Sequence, residues 1–353
     1  MHLLSNKRLG KTELLIPPVV FGATSLGNLF KAPTDAEKHS IIEAQLRCGL
    51  SPCVIDSAGK YGAGLSLEVI GRELAALKVD PERVIISNKL AWRRVPLQGA
   101  EPTFEPGAWV DIRHDAVQDI SYSGILRCWQ EGNQLLQPYH AKLVSVHDPD
   151  EYLNAASCST DRQRRLEDIC EAYRALIELR DQGLVEGVGV GAKKWEIIQE
   201  LYDHCDFDWV MLANSFTILE HPPELVEFMH RLHQKDVGVI NSALFHGGFL
   251  LGGDFFDYRK LTNGECDRRR LAWRQRFHAV CQDLKVSPFD VGVAFGKSHP
   301  AITAVALSSS RADRVQSHVD AVCASCQPVV WHAMVQANLI SAEYANSYLL
   351  NLA

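Results

Sequence analysis

The sequence predicts a single closed α/β barrel of the (β/α)8, or TIM-barrel, class spanning residues 1–353. Three observations point there. Eight apolar runs of strand length alternate with segments of helical periodicity. No domain-sized shift in composition and no Gly/Ser linker divides the chain. The first run lacks the Gly-x-Gly-x-x-Gly that opens a doubly wound dinucleotide fold.

Taken in order, residues 18–23 form the first strand, ended by Gly22 and Gly27, and residues 34–48 the first helix, capped by Thr34 or Asp35. The second strand ends at Asp56. Residues 66–77 form its helix, with Val69, Ile70 and Leu74 on the apolar side. Residues 84–89 are almost wholly apolar, as a strand covered on both faces must be. An elaborated loop follows at about 90–120, rich in Pro, Gly, Trp and polar groups, before a helix at 121–137 and a strand at 141–146. The next pairs are helix 166–180, strand 185–191 with Gly187, Gly189 and Gly191, helix 195–204, strand 209–214 and helix 224–234. Strand 237–243 leads into a glycine-rich loop, then helices at 270–284 and 288–297, strand 301–307 and helix 311–324. A tail at about 325–353 carries a last helix over 329–340.

Composition narrows the function. With 46% hydrophobic and 22% charged residues the chain is an ordinary globular one, and its net charge of -7 disfavours a nucleic-acid surface. No apolar run approaches the ~20 residues that span a bilayer, and the amino terminus lacks a signal-peptide core, so a cytoplasmic protein is expected. Ten cysteines without framework spacing read as reduced thiols; Cys323 and Cys326, near His318 and His332, are a lone Cys-x-x-Cys pair, insufficient to assign a metal.

The window from Val54 to Gly64 sets an acid, a phenol and three glycines just past a strand end. Read alone, Asp56 is a cap and Tyr61 a loop aromatic, or both belong to a pocket. The barrel separates these readings, because chemistry collects at the carboxyl ends of its strands. Asp56, Lys89 and His147 end strands two, three and four, and Tyr61 follows the first of them. A lysine ammonium beside a phenol favours the phenolate, an aspartate holds the ammonium in place, and a histidine N–H steadies charge on a substrate oxygen. None of the four accepts an electron pair, so a hydride cofactor is the natural partner.

Nearly the whole chain resembles the aldo-keto reductase superfamily. The matching segments are Arg8-Leu-Gly-Lys-Thr-Glu-Leu, Val20-Phe-Gly, Ile55-Asp-Ser-Ala-Gly-Lys-Tyr-Gly-Ala-Gly, Ser87-Asn-Lys, Val146-His-Asp-Pro and Gly187-Val-Gly-Val-Gly. The resemblance implies a nicotinamide cofactor, NADP or NAD, with Tyr61 as general acid/base, Lys89 and Asp56 tuning it, and His147 orienting the substrate. The stretch from Val237 to Gly253, with Phe256-Asp-Tyr-Arg259, is similar to the branch that includes L-fucose, D-threo-aldose and L-galactose dehydrogenases. That implies oxidation of an aldose at C1 to a lactone, with a sugar as the partner molecule and a homo-oligomer open.

By the same resemblance Ser308, Ser309, Ser310, Arg311 and Arg314 face the cofactor's phosphates and adenosine ribose, where a helix amino terminus suits an anion. Leu307-Ser308 departs from the usual Pro-Gly or Pro-Lys, and His318 from the usual Asn, which leaves NAD and NADP open. Gly191 and Asn214 would meet the nicotinamide end. For the sugar, Trp92, Phe245 and His246 lie on loops at the same mouth, an aromatic face suiting sugar C–H groups and an imidazole the hydroxyls. Rival readings are an NADPH-dependent aldehyde or ketone reductase, a cofactor-binding regulatory subunit, and a metal-dependent hydrolase at His147, Asp148 and Asp150.

Overall fold

The computed structural model describes residues 5–257 and 259–350. Eight parallel strands close into a barrel: β1 (Val19–Gly22), β2 (Cys53–Ala58), β3 (Val84–Leu90), β4 (Leu143–His147), β5 (Gly187–Ala192), β6 (Trp209–Ala213), β7 (Gly238–Ser242) and β8 (Ile302–Ser308), with β8 returning to β1. The main helices outside it are α1 (Asp35–Arg47), α2 (Leu65–Ala76), α3 (Tyr122–Leu136), α4 (Ser159–Asp181), α5 (Trp195–Tyr202), α6 (Pro223–Gln234), α7 (Glu265–Asp283), α8 (Pro288–Gly296), α9 (Val315–Cys323) and α10 (Pro328–Gln336). The (β/α)8 barrel expected from the sequence is therefore the fold observed. Helix starts follow their caps: Thr34 and Glu37 form a reciprocal capping box on α1, and Ser121 accepts from the Gly124 N–H at α3.

Two apolar layers hold the barrel. The outer one lies between strands and helices. The inner one fills the barrel itself, where Val20, Val54, Ile85, Leu143, Trp209, Met211 and Ile240 meet. Its floor comes from a hairpin the sequence reading missed, Lys7–Arg8 paired with Leu15–Ile16, which brings Leu9, Leu14 and Ile16 under the strands.

The glycines of β5 have a specific purpose. A Cβ on Gly189 would stand 2.4 Å from the Trp209 ring, and one on Gly187 2.7 Å from the Thr12 methyl. Bare backbone at 187 and 189 is what admits an indole into a barrel of eight strands.

Several boundaries differ from expectation. The loop at 90–120 contains a five-residue antiparallel hairpin, Trp92–Pro96 with His114–Gln118. Helix α4 begins at Ser159 rather than 166, because its first two turns are polar and give no apolar period. A short helix at Pro149–Asn154 follows β4, and the two-residue strands Phe255–Phe256 and Arg259–Lys260 pair in the loop after β7. The last helix ends at Gln336, followed by a turn at Ala342–Tyr344 and a π segment at Ala345–Leu349. No helix among the described residues is long and apolar enough to cross a membrane.

Candidate active site

Alternation along the strands builds the site. Side chains at every second position face the barrel interior, so going up β2, β3 and β4 the inward residues run Val54–Asp56, Ile85–Ser87–Lys89 and Leu143–Ser145–His147. Each stripe is apolar at the floor and ionisable at the top. On β5 Gly187, Gly189 and Gly191 occupy the same face, and Gly191, opposite His147, leaves space for Lys89: a Cβ there would come within 3.0 Å of its Cδ.

At the top Lys89 Nζ donates to Asp56 Oδ2, and Ser87 Oγ donates to Asp56 Oδ1 at 2.9 Å. Both carboxylate oxygens are used, and all three side chains are buried. Lys89 Nζ lies 4.7 Å from the centre of the Tyr61 ring. His147 meets that ring edge-on at 5.7 Å, and Trp109 stacks on it at 5.9 Å. The backbone of Tyr61 is fixed from behind, since a Cβ on Gly27 would be 2.7 Å from its carbonyl carbon. Burial holds the His147 imidazole well below its usual range, and the Lys89, Lys60 and Lys193 ammoniums act in the same direction against the opposing pull of Asp148. The ring is therefore neutral at physiological pH.

The four residues line a cleft of about 890 Å³. Ser308, Ser309, Ser310, Arg314, Gly191, Asn214 and Phe245 line the same cleft. Two observations fit a polar, elongated ligand there. Asn214, held at φ 56, is buried with its Oδ1 unpaired, as is His147 Nδ1. Gly22 admits Ser308 to the wall, where a Cβ would lie 2.2 Å from its hydroxyl oxygen. The residues present, with unpaired buried acceptors and a run of serines beside an arginine, suit a polar cofactor such as a nicotinamide dinucleotide.

Three expected residues lie elsewhere. Trp92 is behind the wall: it packs against Phe104 and carries Lys60 Nζ 4.5 Å above its ring. His246, at φ 50, turns into the protein, bonds Thr217 Oγ1 at 2.9 Å and Asp257 Oδ1 at 3.0 Å, and stacks on Phe256. Arg311 points along the surface to Asp313 and does not line the cleft. Sequence reading missed Ser87, Lys60, Glu105, Trp109, Phe289 and Lys193. Ser87 was readable, standing two residues before Lys89 on one strand; Glu105 and Trp109 come from the irregular part of the 90–120 insertion, where no period says which side chain turns inward. His318 does face the cleft, stacked on Phe289 at 5.0 Å, and burial lowers its pKa to about 4. Cys323 is exposed and Cys326 half-buried, and among the described residues no cluster of three His, Cys, Asp or Glu is placed to hold a metal ion.

A barrel with Asp56, Tyr61, Lys89 and His147 on a cleft of about 890 Å³ is suited to an enzyme acting on a small molecule. Residues 18–337 match the model of the Aldo/keto reductase family, and the chain belongs to that family. Its members act on small molecules with NAD(P)(H). Among curated proteins the chain is similar to pyridoxal 4-dehydrogenase of Microbacterium luteolum, 25% identical over 97% of this chain and 100% of that one. It is also similar to D-threo-aldose 1-dehydrogenase of a Pseudomonas species, 24% identical over 93% and 95%, and to L-galactose dehydrogenase of Arabidopsis thaliana, 22% identical over 71% and 68%. The fold is shared with an aldo-keto reductase from Bacillus halodurans in its holo form, at TM-score 0.67, 20% identity and coverage of 96% and 97%. A glycerol dehydrogenase from Gluconobacter oxydans shares it at TM-score 0.68, 17% identity and coverage of 100% and 98%.

Proposed function

We propose that the protein oxidises a cyclic hemiacetal at its anomeric carbon to a lactone, with an aldose such as L-fucose, D-arabinose or L-galactose as substrate and NAD or NADP as acceptor. Two of the similar proteins carry an aldose or L-galactose in their names. The third names pyridoxal, whose aldehyde beside a hydroxymethyl group closes into the same hemiacetal grouping. The aromatic wall formed by Trp109 and Phe30 suits the C–H face of a sugar and a flat pyridine alike.

The observation that carries the reading is the packing of Tyr61 against Lys89 and His147 on the cleft wall. A lysine ammonium beside a phenol favours the phenolate, and Asp56, itself fixed by Ser87, holds the Lys89 ammonium in place. The Tyr61 oxygen takes the proton of the anomeric hydroxyl. His147, neutral, offers an N–H to the same oxygen as it becomes a carbonyl. Asn214 would hold the nicotinamide, and Ser308, Ser309, Ser310 and Arg314 the phosphates. When bound, the nicotinamide supplies the site that accepts the hydride from the anomeric carbon.

The test follows nicotinamide absorbance with NAD+ and NADP+ separately, against L-fucose, D-arabinose, L-galactose, L-xylose and pyridoxal. Lactone formation from one of them is the expected result. Consumption of NADPH on simple aldehydes, with every hemiacetal inert, would replace this reading by a general carbonyl reductase. Tyr61→Phe is expected to lower turnover at least about a hundredfold while dinucleotide binding, read by fluorescence quenching, stays within about twofold. Retention of most turnover would remove Tyr61 from the proton-transfer role.

A further inference from the structure

Beside the four reacting residues lies a second charged group that the proton transfer does not use. Lys60, next to Tyr61 in the chain, is only 2% exposed, and its ammonium meets Asp148 Oδ2 at 2.7 Å, Glu105 Oε1 at 2.8 Å and Glu151 Oε2 at 3.1 Å. Lys193 adds contacts to Glu151 at 2.6 Å and Glu105 at 3.6 Å. These partners come from three different loops. Asp148 adjoins His147 after β4, Lys193 follows β5, and Glu105 belongs to the insertion after β3. Glu105 sits at φ 45 and also accepts from Trp109 Nε1 at 2.9 Å, and it is the Trp109 ring that stacks on Tyr61.

We propose that Lys60 is a positioning residue: through Glu105 it clamps the insertion onto the barrel and seats Trp109 against Tyr61, so that the substrate-side wall exists before substrate arrives. One cation thereby ties together the neighbours of two reacting groups and the loop that covers them. Lys60 and Asp148 are buried, where an ammonium without its carboxylates is strongly disfavoured, while Glu105 and Glu151 reach them from partly exposed positions. The clamped position of the loop is thus the one in which the Lys60 ammonium meets all three of its carboxylates. Ser308–Ser310 and Arg314 take part in none of these ion pairs, so the expected effect falls on the substrate and not on the dinucleotide.

The inference rests on Tyr61 as the proton-transfer group, and the experiment separates the two. Lys60→Met and Glu105→Gln are compared with the full-length parent, each also in a Trp109→Phe background. Ligand-free emission spectra should show the Trp109 contribution shifted to the red in both variants, with no shift in the Trp109→Phe background. The KM for the best substrate of the panel should rise about tenfold or more, NADH or NADPH affinity should change less than about twofold, and the double variant should be no worse than the poorer single one. Lys60→Arg should recover part of the KM. Unchanged Trp109 emission in Glu105→Gln, or losses that multiply in the double variant, would overturn the proposal. Glu105→Gln decides alone if Lys60→Met does not fold, and the emission result stands even if no hemiacetal is turned over.

Discussion

Asp150 is buried at the start of the short helix after β4, with one carboxylate oxygen accepting from the Lys194 N–H at 3.2 Å and the other unpaired. Burial, helped by the neighbouring Asp148, raises its pKa to about 6. The folded state therefore holds a proton that the unfolded chain releases near pH 4, and stability falls as pH rises through the window from 4 to 6. At pH 7 the ionised group costs up to ~3 kcal/mol. Asp150→Asn, which keeps an acceptor for Lys194, is expected to raise unfolding free energy by about 1–3 kcal/mol at pH 7, with no gain at pH 4. Denaturant titrations at the two pH values would show this difference, and equal effects at both would mean the carboxyl is not perturbed as described. The neighbouring Asp148 behaves oppositely, since Lys60 and Lys193 hold it ionised despite burial.

At the scale of the element, β5 shows how one strand can be shaped by another. Gly189 is the register partner of Trp209 on the adjacent strand, and a methyl group at 189 must displace an indole enclosed by the inner core. Gly189→Ala is expected to destabilise the protein by about 2–4 kcal/mol, whereas Gly183→Ala, at φ 69 with open space around its Cβ, should cost only the strain of its backbone, about 1 kcal/mol. Comparison of thermal midpoints would test the ranking; a smaller loss at 189 than at 183 would show that Trp209 moves freely. The same strands explain what the sequence made legible. Each barrel strand is an apolar run bounded by turn residues, and the alternation within β2, β3 and β4 delivers Asp56, Lys89 and His147 to one rim. Loops carry no such rule. Trp92, His246 and Arg311 sit in the right loops yet turn away from the cleft, because a positive φ, a hairpin pairing and an ion pair with Asp313 decide their direction. Contacts such as Lys60 to Asp148 join positions far apart in the chain, and no local pattern announces them.

For the whole molecule, acid should act through histidine before it acts through most carboxylates. His147, His221, His299 and His318 are all lowered by burial, the last two to about 4. Below their ordinary value near 6.5 the unfolded chain takes up protons at these positions that the folded barrel refuses, so stability is lost as pH falls from 6.5 toward 4. His299 and His318 contribute up to ~3 kcal/mol each at pH 4, against opposing gains at Asp150 and at Glu131, Glu220 and Asp290, whose carboxyls burial also raises. The midpoint of urea unfolding is expected to drop steadily between pH 7 and pH 4. A flat profile would mean that these rings are protonated in the folded state.

The insertion after β3 is fastened to the barrel by a salt-bridged plug, Glu105, entering a socket whose deepest member, Lys60, belongs to the loop of Tyr61. Backbone pairing of Leu29 with Trp109 and the bonds from Phe30 N–H to the Ala108 carbonyl and from Val110 N–H to the Asn28 carbonyl fasten the same insertion beside it, so the ion pair works together with a backbone seam. An insertion grafted from another barrel of this kind would have to bring both halves of that fastening: an acid that meets Lys60 and a backbone that pairs with Leu29.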